Sequence, residues 1–202
     1  MRAGPPYESV CKFLGLTPGQ FHLIRRSNLR YDIQIIYHEI QSAVNGTQFP
    51  ELDWVLTYNQ PTLIFCQTIR FGAHVHQYLI SKDAGNPTTL HDRIRTYNSV
   101  NWSTYNEETC SLMESKRCRV VVATAALSVG VDVKGIMVVV TFGDPPDEDT
   151  HIQMCGRIHP TLDGSASNYR CITYFFPKAK ERALKAIEAA ERQTGQAAAK
   201  TR

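Results

Sequence analysis

Over 202 residues, 43% apolar and 20% charged, the chain has the composition of a folded domain and not of a disordered or fibrous one. Its formal net charge of +3 is compatible with a phosphate-bearing partner but too small to argue for one, and no apolar run approaches the roughly 20 residues a membrane-crossing helix needs. No signal peptide is evident, so a soluble, intracellular protein is expected, nuclear if its source is eukaryotic.

In chain order, residues 7–16 (YESVCKFLGL) place Val10, Phe13 and Leu14 on one face and stop at Gly15 and Pro18, the pattern of a short amphipathic helix. Asp32 to His38 reads as a first strand. Glu39 to Leu56 can hold one helix, with Ile40, Val44, Leu52, Val55 and Leu56 apolar, although Asn45-Gly46 and Pro50 interrupt it. Pro61 introduces Thr62–Cys66 as a buried strand, and Thr68 is placed to cap a helix whose Phe71, Val75, Tyr78 and Leu79 share a face. Pro87 to His91 reads as a loop and Arg93 to Tyr97 as a strand. Thr104-x-x-Glu107 is a capping-box pattern opening a helix to about Ser115, with Tyr105, Leu112 and Met113 inward and Lys116-Arg117 at its basic end.

Val120–Ala123 and Ile136–Phe142 are near-continuous β-branched or aromatic runs, the mark of parallel strands covered on both faces. A helix follows that delivers Gln153, Gly156 and Arg157 to one place. Arg170 to Phe176 is a last strand ended by Pro177. Lys178 to Arg192 is a helix with Ala183, Leu184 and Ile187 as its apolar stripe, and Thr194 to Arg202 lacks any packing face and is expected to be disordered. Alternating strands and helices predict a three-layer α/β sandwich. Polar residues gather just after the strand ends, the edge where such sheets bind ligands.

Within that central stretch, Ala123-Thr124, then Gly130-Val131-Asp132 with Ile136, then Gln153-x-x-Gly156-Arg157 resemble motifs V and VI of superfamily 2 helicases, and the flanking sequence looks most like the RecQ group. The resemblance extends over roughly residues 22 to 176. It implies a RecA-like three-layer sandwich with a mostly parallel central sheet, the second lobe of a 3′ to 5′ DNA helicase. On that reading residues 1–26 are a remnant of the first lobe's end and the hinge, 27–177 the lobe, 178–193 a C-terminal helix and 194–202 a tail. Arg25 to Arg30 resemble the hinge itself. Pro160 stands where the family's Gln-x-x-Gly-Arg-x-x-Arg has its second arginine.

The resemblance also implies roles. Arg157 is the candidate catalytic residue, a planar, permanently charged fork suited to a transferring phosphoryl group, with Gln153 one helical turn before it and touching nucleotide or coupling the two sites. Gly130, Asp132 and Gly156 belong to the nucleotide side. Thr124 resembles the motif V threonine that donates to a nucleic-acid phosphate, and Gln67, Arg70, Asn98 and Ser99 extend that backbone-tracking surface into a groove for a single strand. Each has a plainer alternative: Gly130 a turn residue, Asp132 its local cap, Thr124 bonded to its own backbone, Arg157 paired with a carboxylate.

ATP with Mg²⁺ is the implied cofactor. Yet the sequence has no G-x-x-x-x-G-K-[ST] loop and no D-E-x-H box, so a first RecA-like lobe, in cis or in trans, is expected to hold the triphosphate, and single-stranded or forked DNA is the expected partner. After Phe176 nothing resembles the zinc-binding and winged-helix segments that often follow in RecQ proteins. A degenerate, non-hydrolysing lobe that binds nucleic acid or protein is the alternative, motivated by Pro160. The six cysteines (Cys11, Cys66, Cys110, Cys118, Cys155, Cys171) form no C-x-x-C pair and are expected as free thiols, without disulfides. No metal site is expected. His74 and His76 read as ordinary helix residues, and His159 can replace the charge lost at Pro160 only when protonated.

Overall fold

A computed structural model describes residues 5–17, 21–22, 30–42, 46–85, 87–124, 127, 133–158, 169–185 and 187–188. The chain forms two compact units, Met1–Tyr31 and Asp32–Arg202. In the first, helix α1 (Pro5–Leu14) ends as its sequence dictates: Gly15 takes φ +64°, and Gly15 N–H and Leu16 N–H donate to the Lys12 and Cys11 carbonyls. That pair of bonds is a Schellman cap, which needs a residue free to turn left-handed. Val10, Phe13 and Leu14 are exposed. Of the expected hinge, Arg25 to Arg30, residues 25–29 lie outside the described residues.

The second unit is built on β1 (Ile33–Glu39), β2 (Thr62–Cys66), β3 (Ile94–Tyr97), β4 (Val120–Ala123), β5 (Val138–Phe142) and β6 (Tyr169–Phe175). They form one sheet in the order β1-β6-β5-β2-β4-β3, and every pairing is parallel. Because side chains alternate along a strand, the apolar runs divide between two faces. Leu63, Phe65, Val121, Ala123, Val139 and Cys171 point to one core, shared with Leu112 and Met113 of α5 (Ser103–Glu114) and Met154 of α6 (Glu148–Cys155). Ile64, Val122, Val140, Phe142, Ile172 and Tyr174 point to the other, with α2 (Asp53–Thr57) and α3 (Ile69–Lys82). The sandwich of three layers is therefore as expected, and so are the near-continuous β-branched and aromatic runs of the central strands, in which Thr62 and Thr141 are the buried polar residues.

Helix α3 also follows its sequence. Thr68 Oγ1 accepts the Phe71 N–H at 3.1 Å, and Phe71, Val75, Tyr78 and Leu79 are buried. Elsewhere tertiary demands override the local pattern. No helix spans 39–56: β1 runs through Glu39, and among the described residues of this stretch only a 3-10 turn at Pro50–Leu52 and α2 are helical. The reason is Phe49, 1% exposed, whose ring meets Phe71, Tyr78 and Phe142 edge-on at 5.7 Å each and draws the backbone out of a helical conformation, to φ −134° and ψ 63°. Glu51 reinforces the excursion by accepting the N–H groups of Gln41 and Ser42.

Smaller departures have similar causes. Residues 87–91 are not a loop but a 3-10 turn (Pro87–Thr89) running into α4 (Leu90–Arg93), where Arg93 pairs with Asp83 and so precedes the strand. The capping box at Thr104 does not form: α5 starts at Ser103, behind Trp102, with no side-chain cap. Its anchor is Arg95 of β3, buried, donating to Thr109 at 2.9 Å, paired with Glu108 at 2.7 Å and lying 4.0 Å from the Tyr105 ring. Strand β5 begins at Val138, not Ile136, since the Met137 N–H already turns to the Pro61 carbonyl. A last helix, α7, covers residues 177–185. Leu184 and Ile187 of its expected apolar stripe are exposed. The expectation of free thiols fails at one pair: Cys155 of α6 and Cys171 of β6 are disulfide-bonded, their Cα atoms 5.6 Å apart, because α6 packs directly over the neighbouring strand.

Candidate functional site

Parallel pairing puts the carboxyl ends of β2, β3 and β4 side by side, and the residues that follow them share one edge of the sheet. Thr124 leaves β4 with its N–H donating to the Tyr97 carbonyl at 3.2 Å and its own carbonyl accepting the Leu127 N–H at 3.1 Å. Among the described residues its hydroxyl has no partner. Asn98, next to it at the end of β3, uses Oδ1 to accept the N–H groups of Val100 and Asn101 at 3.0 and 3.1 Å. This turn fixes the residue and leaves its amide NH₂ without a partner among the described residues. Thr124 and Asn98 line one recess of about 150 Å³ with Ile69, Gly72 and His76 of α3. Ser99 is exposed in the turn after Asn98.

Arg70, in the first turn of α3, is exposed and has no ion-pair partner among the described residues. Gln67 behaves differently: its amide donates to the Asp144 carbonyl, a bond that ties the ends of β2 and β5 together. Burial lowers the pKa of His76 against a weak contact with the Ile94 carbonyl at 3.4 Å, and His91 lowers it further, so the recess is lined by a neutral imidazole at pH 7.

The second group comes from α6. Asp147 caps this helix, accepting the Thr150 N–H at 2.7 Å and its hydroxyl at 2.9 Å, a D-x-x-T signal that the motif reading passed over. Those bonds hold the Asp147 carboxyl below its usual range. Gln153 is exposed on α6. Gly156 is the helix C-cap, and Arg157 lies past it in a turn, its N–H donating to the Met154 carbonyl at 3.1 Å, its side chain half-buried and engaged. The helix thus ends between Gln153 and Arg157. Neither lines the Thr124 recess. Gly130 and Asp132, with His159 and Pro160, lie outside the described residues.

No triphosphate cradle opens at α3, the helix that follows a strand where a phosphate loop would sit. The connection is two residues long, and the Phe71 N–H that an anion would need is taken by Thr68. Burial pushes the Cys66 thiol up and the Cys118 thiol up to about 12, which disfavours both as nucleophiles. His151, Cys155 and Cys171 place their ligating atoms within 4.8 Å of one another, the two sulfurs being joined in the disulfide. Sixteen residues separate the two cysteines, and nothing short of the strand order brings them together.

Residues 47–160 match the helicase conserved C-terminal domain. Among solved structures the chain is similar to the C-terminal domain of the DEAD-box protein Dbp5, at 16% identity over 79% of this chain and 85% of that one, with a TM-score of 0.59. It is similar also to S. cerevisiae Dbp5 bound to RNA and ADP BeF3, at 16% identity over 94% and 46% with a TM-score of 0.66. Mycobacterium smegmatis helicase Lhr bound to ssDNA and AMP-PNP is matched at 17% identity over 72% and 19%, TM-score 0.52. The chain therefore spans about a fifth of the Lhr chain and under half of the Dbp5 chain seen with RNA.

Proposed function

The chain belongs to the helicase conserved C-terminal domain family, and from that premise we propose that it is the second RecA-like lobe of a RecQ-like, ATP-dependent DNA helicase translocating 3′ to 5′. Its six-stranded parallel sheet with helices on both faces is the RecA-like sandwich of superfamily 2 helicase C-terminal lobes. The finer assignment to the RecQ group is supported by the motifs around Thr124, Gln153 and Arg157 and by the flanking sequence.

The observation that carries the reading is the pair Thr124 and Asn98 around one recess, each with a polar group that no described residue satisfies, with exposed Arg70, unpaired among the described residues, next in the chain to Ile69 of the same recess. A hydroxyl, an amide and a guanidinium along one sheet edge suit the sugar-phosphate backbone of a single strand, and they set register without reading sequence. The solved relatives were captured with ssDNA and with RNA, in keeping with this role.

Gln153 and Arg157 form the lobe's nucleotide side. The residues fit a contributing role and not a holding one, because the α3 terminus is capped by its own threonine. ATP with Mg²⁺, held by a first lobe, supplies the phosphoryl transfer. Arg157, fixed by the turn after α6, presents a guanidinium to growing charge, and Gln153 positions the partner across the cleft. Mixing the chain with a phosphate-loop lobe and measuring DNA-stimulated ATP turnover tests this: a gain lost on Arg157→Ala supports it, and no gain over the first lobe alone rejects it. Polarity is read from strand displacement on 3′- and 5′-tailed duplexes.

Pro160 in place of the second motif VI arginine favours a second reading, a non-hydrolysing lobe. Proline cannot donate to a phosphate. Association with single-stranded DNA that ignores nucleotide and survives Arg157→Ala distinguishes that reading from the first.

A further inference from the structure

We propose that His151, Cys155 and Cys171 form a binding site for a thiophilic divalent ion, zinc by preference, that opens when the Cys155–Cys171 bridge is reduced. His151 and Cys155 stand four residues apart on α6, so their side chains lie on one face of the helix and point the same way. Cys171 enters from β6, directly beneath. The imidazole Nε2 lies 3.7 Å from Cys155 Sγ, and all three ligating atoms fall within 4.8 Å. A tetrahedral zinc with Zn–N of about 2.0–2.1 Å and Zn–S of about 2.3 Å separates a nitrogen and a sulfur ligand by about 3.6 Å. The imidazole and one sulfur are thus already at ligand spacing, and Cα atoms 5.6 Å apart let the two sulfurs separate by side-chain rotation alone.

The surroundings suit an ion with one open position. Cys171 is fully buried and Cys155 nearly so, whereas half-buried His151 lines a groove of about 670 Å³ between β1, β6 and α7, which gives an entry path and room for a water or an external ligand. Thr173 Oγ1 lies 2.7 Å from the same Nε2 and holds the ring over the sulfurs. On binding, the imidazole lone pair passes to the metal and the threonine hydroxyl is released to bond a thiolate.

Both steps balance. A water-soluble phosphine reduces the bridge, taking the oxygen of one water and leaving as phosphine oxide, while the two protons of that water end on sulfur. Two Zn–S bonds then form as the two thiol protons are lost to solvent. Zinc stays divalent throughout. The bridge and the metal are mutually exclusive clamps between α6 and β6.

The test uses the full chain with Cys11 and Cys110 replaced by serine. After phosphine reduction under argon it is titrated with Co²⁺, then with competing Zn²⁺. The expected result is one cobalt per chain, with thiolate-to-cobalt charge transfer and the intense visible bands of a tetrahedral site, all lost when the bridge re-forms. Cys155→Ser and Cys171→Ser should each weaken binding by at least about a hundredfold and reduce the charge-transfer band. His151→Ala should weaken it similarly while keeping that band. If a cysteine variant fails to fold by circular dichroism, His151→Ala decides alone. A reduced chain that shows no tetrahedral spectrum overturns the proposal, as does a spectrum and affinity unchanged in His151→Ala.

Discussion

One carboxylate oxygen of Asp144 accepts the backbone N–H of Phe176 at 3.0 Å, locking the turn after β5 to the end of β6. The other oxygen takes Arg182 of α7 at 3.0 Å, and the Asp144 carbonyl receives the Gln67 amide. Three strands are joined at their carboxyl ends by this one residue. Arg182 is largely exposed, so its ion pair contributes little. The Phe176 bond matters more, since losing it strands a half-buried donor. Asp144→Asn is therefore expected to cost under about 1 kcal/mol and Asp144→Ala about 1–3 kcal/mol. Urea unfolding of the two variants checks this, and equal costs would contradict it.

Two glycines near the same edge should respond with opposite signs to alanine. Gly143 has φ +105°, and an added Cβ meets the Phe176 ring at 3.3 Å. Gly143→Ala should destabilise by about 1–3 kcal/mol. Gly72 lies inside α3, where a Cβ meets Val122 and Cys66 at ordinary distances of 3.5 and 3.6 Å. Gly72→Ala should stabilise by about 0.5–1 kcal/mol, because the helix no longer carries glycine's entropy. Thermal melts of both variants are a direct comparison.

Acid should loosen the lobe through His76. Its pKa is lowered in the folded chain, by burial first and by His91 in the same direction, with the Ile94 carbonyl contact opposing. The unfolded chain then binds the proton more readily. The stability of the neutral form is fully present above the ordinary histidine value of 6.5 and is lost as pH falls below it. Melting temperature should drop between pH 7.5 and 5.5, and His76→Gln should flatten that drop; an identical slope in the variant would remove His76 as the cause.

The residues that were legible in the sequence owe their positions to neighbours in the chain. Thr68 caps α3 because the N–H it satisfies lies three residues ahead, and Phe71, Val75, Tyr78 and Leu79 share a face by helical geometry alone. Thr124 and Asn98 could be placed at one edge because parallel strands end together. Phe49 could not be placed, since what pulls it from a helix is a pocket made by Phe71, Tyr78 and Phe142. Cys155 and Cys171 are joined by strand order, which no local pattern records. The spacing of Gln153 and Arg157 suits one helix, but Gly156 ends it between them.

Arg70 offers the most direct reading of the proposed nucleic-acid edge. It is exposed at the opening of α3, unpaired among the described residues, and follows Ile69, which lines the recess that holds Thr124 and Asn98. A guanidinium so placed neutralises a backbone phosphate by displacing condensed counterions, and each such contact on a single strand adds about 0.7 to the slope of log affinity against log salt. Arg70→Ala should lower that slope by about 0.7 and weaken binding about equally for every sequence tried, since phosphate contacts carry no base information. Thr124→Val should weaken binding with little change in slope, because a neutral hydroxyl displaces no counterion. Fluorescence anisotropy of labelled single strands over a series of salt concentrations measures both quantities. An Arg70→Ala slope equal to that of the unmodified chain would mean that the strand runs elsewhere on the lobe.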